Sequence, residues 1–249
     1  MDFDTVIMLS IIGLFAVFWA AERLIGGGRS FPPIRFWTLI GLAGFAVTFV
    51  LSGILPAVIA PAMTWIHLLD LSAWGLWSAI PTVILTTFCT YWSHRIQHRF
   101  DILWRAGHQL HHSVMRVDIA SGMIFHPVDA FVQVAMTSLA AALLGVTAQA
   151  AGIAGVAGFA IGLYQHFNVA TPAWVGWIIQ TPEQHMRHHE RDVHARNFGD
   201  MPVWDRIFGT YAAPATGPLA VGFESERSRR WLAMILFVDV NRAQNRAKI

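Results

Sequence analysis

Five stretches of this chain are long enough and apolar enough to seek lipid instead of water. They cover residues 5–21, 36–60, 74–92, 119–144 and 147–169. A helix needs about 20 apolar residues to cross the hydrocarbon core of a bilayer. Inside that core each segment must satisfy its own backbone hydrogen bonds, which makes the helix the expected form. Composition agrees: 55 % of the 249 residues are hydrophobic and 13 % are charged, about half the usual charged share of a soluble domain. The expected fold is therefore all-α and polytopic, with about four or five transmembrane helices. The last two runs meet at a short uncharged turn near Gly145, so they form a tight hairpin that need not cross fully. Residues 171–181, bounded by Pro172 and Pro182 and bearing Trp174 and Trp177, read as an interfacial helix.

The chain reads as one membrane domain over 1–249. Residues 1–73 supply the first two spans, 74–211 a core, and 212–249 a tail; from Glu183 onward the sequence is polar and basic. A first run flanked by Asp2, Asp4, Glu22 and Arg23, with no small-residue cleavage site after a basic start, is not expected to be a signal peptide. A net charge of +2 with scattered basic residues disfavours nucleic acid as a partner, and one cysteine, Cys89, excludes an internal disulfide.

Arginine placement orients the spans. Arg23, Arg29 and Arg35 lie between the first and second; Arg95, Arg99, Arg105 and Arg116 follow the third; Arg187, Arg191, Arg196 and Arg206 follow the fifth, whereas residues 61–73 hold neither Arg nor Lys. Basic residues collect on the cytoplasmic side, so the N-terminus is expected outside and the segments after spans three and five in the cytoplasm.

Those same segments hold most of the twelve histidines. His94 and His98 form H-x-x-x-H; His108, His111 and His112 form H-x-x-H-H; His185, His188 and His189 repeat it. Residues i, i+3 and i+4 share a helix face, so His94 and His98 can address one ion. Neighbours on a helix diverge by about 100°, so His111 and His112 can address two. Eight imidazoles are too many for one catalytic ion, which keeps an open position. The expectation is a histidine-rich two-metal cap at the cytoplasmic ends of the spans. Imidazole suits iron, zinc, copper and nickel, and spacing alone does not choose among them. No cysteine joins the cluster, which argues against iron–sulfur or thiolate zinc, and H-E-x-x-H of zinc proteases is absent.

The order H-x-x-x-H, H-x-x-H-H, H-x-x-H-H resembles the fatty acid hydroxylase and sterol desaturase superfamily. Further residues carry the resemblance: Tyr91-Trp92-Ser93 before His94, Leu103-Trp104-Arg105 before the first triplet and Ser113 after it. His126-Pro127, His166 with Asn168, Thr181-Pro182, Asn197-Phe198-Gly199 and the run from Trp204 to Thr210 complete it. It covers about residues 85–211. What it implies is a non-haem di-iron oxidase of the membrane with two iron ions, O2 as co-substrate, a lipid or isoprenoid substrate and electrons from a separate carrier. A ferredoxin, or a b-type cytochrome with its reductase, fits that role, since no stretch of the chain reads as a fused haem or flavin domain. Members hydroxylate, desaturate or cleave an ether through a hydroxylated carbon. A carotenoid ring hydroxylase of the same superfamily is the nearest alternative; acyl-CoA desaturases use the longer H-x-x-x-x-H.

The expected ligands are the eight motif histidines together with His166, an ionisable group at the end of an apolar span, where function is the default reading. His126 and His194 are weaker candidates, as ligands or as supports. Asp118, Asp129 and Asp205 are expected to hydrogen-bond imidazoles from behind instead of bridging metals. His67 is expected to be a bystander. No protein nucleophile or general base is required. From other classes, a membrane metal-binding or metal-transport protein would want ligands along a path at mid-bilayer, and a zinc hydrolase would want a carboxylate base, for which Glu183 and Glu190 are available.

Overall fold

In the computed structural model, residues 1–25, 28–215 and 217–241 are described. Residues 242–249, with Lys248, the end of the expected tail, lie outside them. The described residues are mostly helical, with a single isolated β-bridge between Glu190 and Val221. Five long helices dominate: α1 (Phe3–Ile25), α2 (Trp37–Ala62), α3 (Ala79–Arg99), α4 (Pro127–Leu144) and α5 (Ala148–Gln165). Four segments among the described residues are long and apolar enough to cross a membrane: α1, α2, α3 with the turn before it, and α4. At 1.5 Å per residue, α3 is about 31 Å long and α4 about 27 Å, against a hydrocarbon core of about 30 Å. This is an integral membrane architecture, and its apolar side chains behave accordingly. Leu9, Val17, Leu39, Val50, Ile54 and Val58 stand exposed on the outside of α1 and α2, a surface that only lipid can cover favourably.

α1 packs on α5, α5 on α3, α3 on α4 and α4 on α2. An aromatic cluster closes the circle: the Phe15 ring of α1 stacks 3.9 Å from Phe45 of α2, and Phe45 reaches Phe159 of α5. The α4–α5 turn at Gly145 adopts φ 59, a left-handed conformation suited to glycine. Leu68, Leu69 and Leu71 donate their backbone N–H groups to the carbonyls of Leu143 and Leu144. The hairpin tip therefore meets the loop that joins α2 to α3, and α4 spans the same depth as its neighbours.

The other ends meet the cap. Glu22 at the end of α1 accepts from the backbone N–H of Ile119 and of Asn168. Arg29 pairs with Glu183 at 2.6 Å, and Arg116 donates to the Pro32 carbonyl. The arginine-bearing loop between α1 and α2 thus lies against the cap. Two expected boundaries move. The fourth span begins at Pro127, not at 119, because His126 and Pro127 supply a cap and a first-turn proline. Residues 119–124 instead form a buried turn; a Cβ on Gly41 of α2 would come within 2.6 Å of the Ala120 Cβ, so only glycine lets helix and turn approach this closely. Within 171–181 the helical part is a short 3₁₀ turn, Ala173–Trp177.

Candidate metal centre

Three elements carry the eight motif histidines, and His166 follows α5 as its C-cap. α3 brings His94 and His98 at its last two turns. After α3 the chain makes short helical turns, Asp101–Leu103, Trp104–His108 and Gln109–His112, the middle one a π turn. Such turns widen a helix by one residue and recur at functional sites. The third element, α6 (Pro182–His188), opens on a capping box in which Thr181 and Gln184 satisfy each other's backbone N–H groups.

Nine imidazoles sort into two groups. His94, His98, His108, His112 and His188 form one, and His111, His166, His185 and His189 the other; within each, one ring nitrogen per residue lies within 4.8 Å of all the rest. Each H-x-x-H-H triplet divides between them in the opposite sense. His108 and His112 enter the five-histidine group and His111 the four-histidine group; His185 and His189 enter the four-histidine group and His188 the five-histidine group. The groups abut: the rings of His112 and His189 stack 4.3 Å apart.

Most of the clustered rings turn Nδ1 toward an oxygen behind them. Nδ1 of His94 donates to the Phe198 carbonyl at 2.8 Å, that of His188 to Arg196 at 2.8 Å, that of His166 to Gly162 at 2.9 Å, and that of His185 to Oε1 of Gln180 at 2.7 Å. Nδ1 of His108 meets Oδ2 of Asp129 at 2.9 Å, and Gln97 holds the other carboxylate oxygen. A proton on Nδ1 leaves a bare lone pair on Nε2. Yet Nε2 of His94 lies 2.8 Å from Nε2 of His108, and Nε2 of His166 lies 3.3 Å from Nε2 of His185. Lone pairs facing at that range repel unless a cation lies among them. Both nitrogens of His98, Nδ1 of His112 and of His189, and Nε2 of His188 are buried without a hydrogen-bond partner, each a cost of about 1–3 kcal/mol if left so. The donor set fits two metal ions, one per group.

Burial first, and then neighbouring imidazoles, hold the protonation of His111, His112, His185, His188 and His189 well below the ordinary histidine range; burial takes His166 down to about 4. These rings are neutral at physiological pH, the form that binds metal.

The loop around Asn197 ties the groups together. Asn197 sits at φ 51, a left-handed geometry that asparagine tolerates. Its side chain donates to the carbonyls of Gln184 and Ala212 and accepts from the Ala212 N–H, while its own carbonyl accepts from Gln180. Its neighbours Arg196 and Phe198 supply the carbonyls behind His188 and His94. One loop therefore orients two imidazoles of the larger group directly and one of the smaller group through Gln180.

The remaining candidates fall elsewhere. His126 accepts the Val128 N–H on Nδ1 and directs Nε2 to the Ile235 carbonyl, so it caps α4 and belongs to neither group. The His194 ring lies 4.8 Å from that of Trp104, tilted by 51°, beside the five-histidine group without joining it. Asp118 binds Arg116, Trp37 and Ser121, away from the imidazoles. Asp205 accepts from the N–H groups of Phe198 and Gly199 and so braces the carbonyl behind His94. Asp129 is the carboxylate in direct contact. Gln97, Gln180 and Asn197 were not legible as supports; their sequence signals were adjacency to His98, to the capping box and to a Phe-Gly pair. Gly122 also went unread: a Cβ there would lie 2.8 Å from the His166 ring.

Known proteins resemble this chain. An ornithine lipid hydroxylase of Rhizobium tropici is 27 % identical over 244 residues, 88 % of this chain and 72 % of the relative. Alkylglycerol monooxygenase of Danio rerio is 30 % identical over 163 residues, 59 % of this chain but 33 % of the relative. The human alkylglycerol monooxygenase is 27 % identical over 156 residues, 57 % and 32 %. The chain thus spans about a third of the length of the alkylglycerol monooxygenases. No solved structure matches it. The fatty acid hydroxylase pattern matches residues 79–210, just over half of the chain. Since all nine clustered imidazoles fall within that match, this oxidoreductase belongs to the fatty acid hydroxylase family.

Proposed function

We propose that the chain is a non-haem di-iron oxygenase that hydroxylates a membrane lipid. The observation that carries this is the pair of abutting, all-imidazole groups at the ends of apolar spans. The nine histidines would hold the two irons, and the bound pair would supply O2 activation toward an unactivated C–H bond. The balance is that of a monooxygenase: one oxygen atom enters the new C–OH, the other leaves as water, and two electrons and two protons are taken up. The electrons come from a separate carrier, a ferredoxin or a b-type cytochrome with its reductase. The chain's own residues position and exclude. Carbonyls and Asp129 fix each ring, while the buried turn at 119–124 and the Asn197 loop keep water from the rings.

The substrate is a lipid whose apolar chain lies among the spans with its polar head at the cap. The relatives favour this over a carotenoid or sterol, because an ornithine lipid and an alkylglycerol both carry a polar head on long chains. The arginine asymmetry supports a cytoplasmic active site. The zinc hydrolase is disfavoured by its missing base: Glu183 is engaged by Arg29 and Thr171, and Glu190 by Arg187 and Arg196.

The test is an incubation of iron-loaded protein with lipid extract, a reductase system and labelled O2. One labelled oxygen atom in the product is the expected result. A new double bond without label would convert the reading to a desaturase. Turnover without O2, or activity restored by zinc in iron-free protein, would refute the oxygenase.

A further inference from the structure

The tail was expected to be polar, but residues 231–238 are not. Leu232, Ile235, Leu236, Phe237 and Val238 are exposed, Leu232 at 71 % and Leu236 at 63 %, while Met234 between them is fully buried. Five exposed large apolar side chains within seven residues form a patch that water does not favour.

Three contacts fix where this patch lies. The Ile235 carbonyl meets Nε2 of His126, the cap of α4, and the Phe237 ring lies 5.1 Å from the His126 ring. Gln109, beside the π turn, donates to the Val238 carbonyl at 2.9 Å. Met234 packs in one cluster with Trp104 and Leu110, against which Trp37 and Ile40 of α2 also pack. The segment is therefore level with the first turns of α2 and α4. On those turns Leu39, Val128 and Phe131 are likewise exposed, on spans whose outer faces lie in lipid. The patch continues that surface around the cap. Immediately before it stand Arg229 and Arg230, placed as cations are beside an apolar segment that lies in the headgroup layer.

We infer that residues 231–238 lie in the plane of the membrane surface on the metal-centre side, with Leu232, Leu236 and Phe237 inserted among the lipids, as a membrane contact that is not a span. Because the same segment holds Gln109 and His126, it fastens the π turn carrying His108 to the bilayer surface. The inference rests on the membrane architecture alone and stands whatever reaction the metals support.

The test uses the full chain in lipid nanodiscs, with Cys89→Ala and a spin label on a single new cysteine at Leu232, Leu236 or Phe237 in turn. Labels at Leu39 and Glu226 serve as lipid and water references. Collision with O2, which partitions into lipid, is compared with collision with a water-soluble nickel chelate. The expected result is an O2-dominated ratio at 236 and 237, as at 39, and a nickel-dominated ratio at 226. A nickel-dominated ratio at both 236 and 237 would show a water-facing patch and overturn the inference. Protection from both reagents would show a covering protein and overturn it equally. Metal content and helical circular dichroism of each labelled chain establish that it is folded, and three independent positions guard against the loss of any one.

Discussion

Oδ2 of Asp129, in the first turn of α4, lies 2.9 Å from Nδ1 of His108, and among the described residues no other carboxylate lies against a clustered imidazole nitrogen. Both side chains are buried. The contact fixes the His108 tautomer and makes its Nε2 a stronger donor.

Asp129→Asn keeps the shape and removes the charge. It should weaken metal retention about 10–100-fold, read as metal remaining after dialysis against a graded chelator. Unchanged retention would make Asp129 a packing residue.

The division of the triplets predicts different losses for neighbouring histidines. His185→Ala should empty the four-histidine centre and leave the five-histidine one occupied, so that metal per chain falls from two to about one; His98→Ala should do the reverse. Exposed His67, on the far loop, should change nothing. Elemental analysis of single variants decides it. Equal loss of both ions from every variant would point to one indivisible site.

Stability of the chelated protein should fall with acid. His111, His112, His185, His188 and His189 resist protonation when folded but accept a proton near pH 6.5 when unfolded. The unfolded chain therefore binds more protons below that pH, and stability drops as pH falls through about 6.5. Thermal melts of metal-free protein should show a Tm little changed from about pH 8 to 7 and lower at each step from about 7 to 5.

Asn197→Ala should disturb both centres although Asn197 touches no imidazole. It removes three side-chain hydrogen bonds and disfavours φ 51. Asn197→Gly restores the backbone freedom alone. The visible spectrum of the cobalt-substituted protein is the readout: an altered spectrum in both variants assigns the effect to the side chain, and recovery in the glycine variant assigns it to φ.

Reporter fusions test orientation. Fusions after Arg29 and Arg116 should read cytoplasmic and one near Asp70 external. A cytoplasmic Asp70 would turn the cap to the other side of the membrane.

The spans and the clustering of the histidines were legible because both rest on local regularities. Apolar runs of bilayer length declare themselves, and i, i+3, i+4 spacing puts rings on one face. Which ring joins which centre was not legible in full. That His111 and His112 diverge follows from helix geometry, but that His188 crosses to join His94 depends on how α6 docks against α3, a long-range fact. Supports were harder still. Phe198, Arg196 and Gly162 act through backbone carbonyls, which any residue could supply, so residue type leaves no trace of the role. His126 looked like a ligand by type, and a proline after it was the sign that it caps a helix. The apolar patch of the tail was overlooked because the run is far shorter than a span.

The reciprocal division of the two triplets has a consequence for assembly. Neither centre can be completed by one half of the chain, since each draws on the segment before α4 and the segment after α5. Filling either centre docks both segments against each other and so sets rings of the second in place. Metal uptake should accordingly be cooperative, the first ion costing most of the ordering and the second entering a cradle already made. At sub-stoichiometric metal the intact chain would therefore divide mainly between empty and fully loaded forms, whereas at saturating metal a variant that lacks one centre still keeps the ion of the other.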